Sequence, residues 1–192
     1  MTGYKFVKEN LKSEHGDIQW VPGEWQKCEG ELSLCKNGLH ASQKPVDSLD
    51  YIFGTRWFEC EARGILKGSD KFCASEMRLL QEIPKKVLIQ FAIDCAKKVL
   101  LVFEKEYPNN KQLRKVVKAA ELYLKNPNAL TCDAARTAYD ASEAACTASK
   151  AAYAAREACE AAWAAWATCN DWDTMKKWQN RHLLNLIRKE GK

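Results

Sequence analysis

The chain has 192 residues, of which 46% are hydrophobic and 29% are charged, and this composition excludes a disordered polypeptide. No stretch approaches the roughly 20 consecutive apolar residues of a membrane span, and the N-terminus lacks signal-peptide features, so we expect a cytoplasmic protein without membrane association. The 30 basic and 25 acidic residues give a net charge of +5, a mild excess that is weak evidence for an anionic partner.

Residues 1–84 contain eight of the nine glycines, together with turn signals such as Pro22-Gly23 and Asn37-Gly38. Short aromatic or β-branched runs lie between these turns: YKFV, DIQWV, ELSL, DYIF and RWFECEA. This spacing predicts four to six short strands. We therefore expect an α+β chain whose residues 1–84 form a small β-rich or α+β domain.

The aromatic residues of this segment supply the candidate core of the domain, which comprises Trp20, Trp25, Phe53, Trp57 and Phe58. Side chains alternate along WFECEA, with Phe58, Cys60 and Ala62 on one side of the predicted strand. Trp57, Glu59 and Glu61 lie on the other side. The pattern is typical of a half-exposed strand.

Nine cysteines are odd in number and none forms a CxxC pair, so we expect free thiols in a reducing compartment. Cys28, Cys35, His40 and Cys60 are suitable zinc ligands by residue type. Structural zinc ligands usually come in pairs two to four residues apart, whereas six, four and nineteen residues separate these four. Ordinary thiols are therefore favoured over a zinc site, and no motif implies a cofactor.

Residues 85–192 have a helical pattern, with prolines after Pro84 only at 108 and 127. Apolar residues recur at helical spacing and predict helices over 86–106, 111–125 and 172–189. An alanine-rich segment without helix breakers lies between the second and third of these helices, over 129–169. We expect these elements to form an all-α domain.

The alanine-rich segment repeats a heptad three times over residues 138–158, as AYDASEA, ACTASKA and AYAAREA. Three adjacent heptad positions are nearly all alanine, and a charged stripe lies opposite them. Small side chains allow close approach of helix axes, so the repeat predicts a packing surface rather than a chemical site. We expect the segment to form one long helix, or two if it breaks near Thr147–Ser149, and we favour a homodimer through the alanine face.

Two segments resemble known families. FAIDCAKKVLLVFEKEYPNNKQLRKVVKAAELYLKNPN (91–128), the alanine repeat and KKWQNRHLLNLI resemble the putative immunity protein family of bacteria and prophages, over roughly 85–190. CKNGLHAS (35–42) resembles an uncharacterised domain common in phage genomes. These resemblances imply a mobile-element protein in the cytoplasm of a bacterial host cell, and they supply no functional residues.

Basic residues on two predicted helices form the candidate binding surface. They are Lys111, Arg114, Lys115, Lys118 and Arg181. Such a surface suits an acidic protein or a nucleic acid, and the alternative is a solvated helix face. Trp178 and His182 lie near the second basic cluster and are candidate stacking groups for bases, although Trp178 also suits a core position.

Three functions remain open. The leading hypothesis is a non-enzymatic phage or mobile-element protein that neutralises a toxin or a host-defence component by binding it, and the first alternative is a nucleic-acid-binding accessory protein. The second alternative is a small ADP-ribosyltransferase-like enzyme that uses His40, Tyr51 and either Glu59 or Glu61. Against this enzyme, His40 and Tyr51 also suit a hydrogen-bonded turn and a core position, and no phosphate-binding loop or common hydrolase motif is present.

Overall fold

The computed structural model describes residues 1–106, 112–126 and 172–191. The chain divides into two compact units, Met1–Pro84 and Lys85–Lys192. An antiparallel sheet lies in the first unit and three long helices lie in the described part of the second, so the expected α+β class is confirmed. The alanine repeat and the predicted heptad helix at 129–169 lie outside the described residues.

Five strands and one short helix build the first unit. Their bounds are β1 Thr2–Val7, β2 Gln26–Lys27, β3 Leu39–Ser42, α1 Pro45–Ser48, β4 Arg56–Lys67 and β5 Lys71–Ile83. The two longest strands, β4 and β5, form a hairpin, and the Gly68 N–H donates to the Lys71 carbonyl at 2.8 Å across its turn. All pairings between these strands are antiparallel.

The strand pairings form a ring. β1 pairs with β4 from Thr2↔Glu61 to Val7↔Arg56, and it touches β3 at Tyr4↔Ser42. β3 pairs with β5, and β5 pairs with β4, which closes the circuit. The short β2 adds to β5 at Gln26↔Met77. This arrangement gives the small unit an inner face where apolar side chains are removed from water.

The inner face holds the core of the first unit. Its buried members are Val7, Trp20, Leu39, Ala41, Phe58, Cys60, Ala62, Phe72, Ala74, Met77 and Leu79. The predicted alternation on β4 is confirmed, because Phe58, Cys60 and Ala62 share this inner face. Full burial of a side chain such as Phe58 stabilises the fold by roughly 1.5–3 kcal/mol.

The other three aromatic residues predicted for the core, Trp25, Phe53 and Trp57, lie outside this cluster. Trp57 is buried on the outer face of β4, where its ring stacks on Phe6 at 5.5 Å between centroids. Trp25 is only half-buried, because its indole lies against the guanidinium groups of Arg63 and Arg78 rather than in the core enclosed by the strands. The prediction of Phe53 as a core residue is wrong, since 45% of it is exposed.

Three of the predicted strands are wrong. DIQWV and ELSL lie in loops that make only isolated bridges, Lys12↔Gln19 and Ser33↔Asn37, and DYIF follows α1 without strand geometry. β5, the longest strand of the unit, is not among the strands predicted from the sequence. The charged residues of β5 hide its pattern, because Arg78 and Glu82 pair across the hairpin with Glu61 and Arg56.

The second unit contains α2 Lys85–Glu106, α3 Gln112–Lys125 and α4 Trp172–Glu190, so the three predicted helices are confirmed. Buried residues follow four-residue spacing on α2, at Val87, Phe91 and Cys95. They do so again on α4, at Met175, Gln179, Leu183 and Ile187. α2 packs against both α3 and α4. No helix in the described part of the chain is long and apolar enough to cross a membrane.

Candidate functional site

The first unit contains a cavity of about 490 Å³. Its described lining comes mainly from β1, from β3 and the turn before it, and from the loop 13–20. The other lining residues are Cys28, Ser48, Tyr51, Phe53 and Lys71. The buried Trp20 is fixed in this lining, because its Nε1–H donates to the Ser13 hydroxyl at 2.8 Å. Phe53 and His15 are exposed, so their side of the cavity faces solvent.

Lys5 places an ammonium group inside this cavity. Alternation along β1 puts Lys5 on the same strand face as the buried Val7, and its Nζ lies 5.4 Å from the centre of the Trp20 ring. The Nζ donates to the His40 carbonyl at 2.8 Å. Burial lowers the pKa of Lys5 to about 8, and the nearby Cys60 thiol opposes that shift only in part.

His40 holds the turn before β3 in place. Its Nε2 accepts a hydrogen bond from the Cys35 backbone N–H at 2.9 Å, so this nitrogen carries no proton. Burial lowers the pKa of His40, the Lys5 ammonium lowers it further, and a hydrogen bond with the Gly38 backbone opposes both. The prediction of a turn-bonding histidine is confirmed, and its engaged Nε2 is not available as a general base.

The same turn depends on backbone geometry that the motif CKNGLHAS supplies. Cys35 and Gly38 have φ values of +64° and +127°. A side chain at Gly38 would place its Cβ 2.8 Å from the Cβ of Cys73, so glycine is required there. The motif therefore builds one wall of the cavity through a tight turn followed by β3.

Tyr51 and Lys71 form a further part of the lining. Lys71 Nζ lies 4.4 Å from the centre of the Tyr51 ring, and the Tyr51 hydroxyl donates to Asp70 Oδ2 at 2.5 Å. That hydrogen bond raises the pKa of Tyr51 and lowers the pKa of Asp70. A hydrogen bond with the Cys35 side chain raises the pKa of Lys71. Tyr51 is thus partly exposed and hydrogen-bonded, and its expected place in the core is wrong.

The arrangement expected of an ADP-ribosyltransferase-like enzyme is not assembled here. His40 and Tyr51 share the cavity, but neither Glu59 nor Glu61 is among its described lining residues. Glu61 instead pairs with Arg78 at 2.6 Å. The carboxylate in the described lining is Glu14, whose Oε2 lies 3.2 Å from the Nζ of Lys8.

The four residues considered as zinc ligands have separate roles. Cys60 is buried in the core, and burial raises its pKa to about 12. The Cys28 sulfur donates to Asn37 Oδ1 at 3.3 Å, and the Cys35 thiol bonds Lys71. Within residues 1–106, 112–126 and 172–191, no group of three or more His, Cys, Asp or Glu side chains is placed to share a metal ion.

The basic residues proposed for binding lie in the helical unit. Arg114 and Lys118 are exposed on α3, and Arg181 is exposed on α4. Lys111 lies outside the described residues, and Lys115 belongs to α3 without a described side chain. Leu122 is 57% exposed on α3 and was not predicted as a binding residue. Its four-residue spacing from Lys118 was the available signal.

Trp178 and His182, the candidate stacking groups for bases, are engaged with each other and with α2. Their rings stack at 5.0 Å with an angle of 8° between the planes. His182 Nε2 lies 2.7 Å from Asp94 Oδ2, and Lys98 Nζ lies 4.2 Å from the Trp178 ring centre. These contacts join α4 to α2 and give both residues a structural role.

Comparison with protein families gives two matches. Residues 1–90 match a domain of unknown function (DUF7666), and residues 78–170 match a family described as Imm-5 like putative immunity protein. No curated protein and no solved structure matches the chain. The second match includes α2 and α3 and ends before α4, so Arg181 lies beyond it. The chain thus combines a segment similar to DUF7666 with one similar to the Imm-5 like immunity proteins, and the resemblances inferred from the sequence are confirmed.

Proposed function

We propose that this chain is a non-enzymatic binding protein, encoded by a phage or another mobile element, that neutralises a toxin or a host-defence component by occupying its surface. The observation that carries the proposal is the match of residues 78–170 to the Imm-5 like immunity proteins. The proposed contact surface is the exposed face of α3, because α3 lies inside the matched segment.

The α3 face consists of Arg114, Lys118, Leu122 and Lys125. Spacings of four, four and three residues place these side chains on one side of a helix. All four are exposed, whereas Val117 on the same helix is buried. The face therefore offers one apolar side chain with cations around it.

This combination favours an acidic protein over a nucleic acid. The phosphates of a nucleic acid would pair with the lysine and arginine groups, but they would make no favourable contact with an exposed leucine. At a protein interface, an apolar side chain loses water in the centre while charged residues at the rim accelerate association. Leu122 and Lys118 suit these two roles.

The proposal is tested by identifying the partner and then measuring its affinity. Proteins that co-purify with the wild-type chain from its native host are identified by mass spectrometry. The purified partner is then titrated with wild type, Leu122→Ala, Lys118→Gln and Lys67→Gln. Lys67 is the matched control, because it is exposed on β4 outside the segment that matches the immunity family.

We expect Leu122→Ala to weaken binding about tenfold, which corresponds to about 1.4 kcal/mol, mainly through faster dissociation. Lys118→Gln should slow association, and the effect should shrink at high salt because screening removes the steering. Lys67→Gln should change neither rate. Co-expression of the wild-type chain should also suppress the activity of the partner.

The alternative of nucleic-acid binding gives the opposite ranking. Fluorescence anisotropy with short duplex and single-stranded oligonucleotides measures it directly. Tight binding that falls steeply with salt, that Lys118→Gln removes and that Leu122→Ala leaves intact would identify a phosphate-binding surface. That result would contradict the proposed protein-binding function.

A further inference from the structure

We propose that the cavity of the first unit binds a small phosphorylated ligand that carries an aromatic ring, the chemistry of a nucleotide. The proposal concerns the unit similar to DUF7666 and does not depend on the function proposed for α3. It rests on the charges, the aromatic rings and the dimensions of the cavity.

The charges of the lining favour an anion. Lys5, Lys36 and Lys71 all belong to the lining, whereas Glu14 is the single carboxylate among its described residues. The negative charge of Glu14 is offset by Lys8 at 3.2 Å. The cavity therefore has an excess of positive charge that a phosphate group would balance.

Lys5 provides the innermost of these charges. Its ammonium carries three N–H donors, and the hydrogen bond to the His40 carbonyl satisfies one of them within the described residues. A buried ammonium without an anion is costly, which is why burial lowers the pKa of Lys5. A phosphate group at this position would accept hydrogen bonds from the remaining N–H donors. Its negative charge would offset the cost of burying the Lys5 ammonium.

Aromatic rings form the solvent-facing side of the cavity. His15 and Phe53 meet edge to face with ring centres 5.5 Å apart, and Tyr51 lies 6.4 Å from Phe53. Phe53 is 45% exposed although it is one of the larger apolar side chains of the unit. A planar ring stacked on Phe53 would remove this surface from water.

The dimensions and rigidity of the cavity also suit such a ligand. Its volume of about 490 Å³ lies within the usual range for small-molecule sites, about 300–1,000 Å³. The lining is held in place before any ligand arrives, by the Trp20–Ser13 hydrogen bond and by the His40–Cys35 hydrogen bond. Little conformational entropy is therefore lost on binding.

The test is calorimetric titration of the full chain with AMP, GMP, CMP and UMP. Inorganic phosphate and adenosine serve as the two halves of AMP. We expect at least one monophosphate to bind, with adenosine and inorganic phosphate each weaker by about tenfold or more, since each contacts only one side of the cavity. Circular dichroism of every variant establishes that the fold is retained.

Two variants connect binding to the cavity. Lys5→Met removes the inner charge and keeps an unbranched side chain that is one atom shorter, and Phe53→Ala removes the stacking ring. Each should weaken nucleotide binding about tenfold or more, and the exposed control Lys67→Met should leave it unchanged. If Lys5→Met does not fold, Lys71→Met replaces it.

Failure of all four monophosphates to bind at millimolar concentration would overturn the proposal. It would equally be overturned by nucleotide binding that both cavity variants leave unchanged, because the ligand would then lie elsewhere on the chain. Binding of adenosine as tight as that of AMP would contradict the proposal that the lysines of the cavity bind a phosphate group.

Discussion

Lys5 occupies an unusual position for a lysine, on a strand face that otherwise carries core residues. The ammonium loses hydrating water there. Within the described residues, the contacts that replace this water are the His40 carbonyl and the face of the Trp20 ring. Such an arrangement lowers stability while the group is charged. A lysine that is costly to the fold and lines a cavity is a candidate for a functional role.

Lys5 should make the stability of the chain depend on pH. The pKa of Lys5 is about 8 in the folded chain, whereas that of an exposed lysine is 10.5. Between these values the unfolded chain holds a proton that the folded chain has released. The free energy of unfolding of the wild type should therefore rise from pH 8 to 10.5 relative to Lys5→Met, which has no group to titrate.

Urea unfolding of both proteins at a series of pH values measures this difference. Cys60 contributes in the opposite direction, because its pKa is about 12 in the folded chain and 9.0 when exposed, so unfolding releases its proton within this pH range. This contribution is present in the wild type and in Lys5→Met, so subtraction of the variant cancels it, together with those of His40 and Tyr51. A stability difference that stays constant across this range would show that Lys5 is not buried as described.

At the scale of single elements, the β4–β5 hairpin has two different faces. Its inner face is apolar, whereas its outer face carries the Glu61–Arg78 pair beside Arg63. Trp25, just before β2, covers this charged face, with Arg63 at 4.1 Å and Arg78 at 4.9 Å from its ring centre. The indole thus anchors the shortest strand to the longest hairpin.

Removal of this anchor should destabilise the first unit measurably. Trp25→Ala deletes two cation–π contacts, each worth about 0.5–1 kcal/mol at exposed sites, and is expected to lower the free energy of unfolding by about 1–2 kcal/mol. Lys27→Ala is the matched control on β2, since it breaks only the exposed ion pair with Glu76 and should cost almost nothing. Equal losses in thermal or urea unfolding would contradict the anchoring role.

The elements differ in how well the sequence predicts them. The three long helices follow from apolar spacing and from the Pro and Asn residues between them, and RWFECEA follows from strict alternation. The strand KFCASEMRLLQEI was not predicted, because it pairs with three strands along its length and its burial therefore does not alternate simply. A local hydrophobic pattern indicates a strand only where alternate side chains are buried and exposed.

The cavity was not predictable for a related reason. Its lining joins segments far apart in sequence, such as Lys5, His40 and Lys71, and only the ring of strand pairings brings them together. The sequence identified His40 and Tyr51 individually but contained no sign of Lys5, because a lysine between Tyr4 and Phe6 is typical of an exposed strand position.

At the scale of the whole molecule, the inner cluster described for the first unit is built from residues of that unit. Every member of the buried inner cluster lies between Val7 and Leu79. The last strand of the unit ends at Ile83, which pairs with Trp57. A chain cut after Pro84 therefore keeps all the described strand pairings.

We expect residues 1–84 to fold when expressed alone. Buried Trp20 and Trp57 should give the fragment a near-UV circular dichroism signal that disappears in one cooperative thermal transition. The Gly38→Ala version of the fragment is the control, because the added Cβ meets Cys73 and should lower the transition temperature. A wild-type fragment without a near-UV signal would show that 1–84 is not an independent domain.

The strand ring also has a consequence for the synthesis of the chain. β1 is synthesised before its main partner β4, which lies about 50 to 60 residues later. At translation rates of about 5–20 residues per second, the apolar side chains Tyr4, Phe6 and Val7 wait about 3–12 seconds for that partner. Closing so long a loop is entropically slow, whereas the β4–β5 hairpin is local. β1 therefore leaves the ribosome before its partner strand and pairs only after that delay, and chaperones have those seconds in which to shield it.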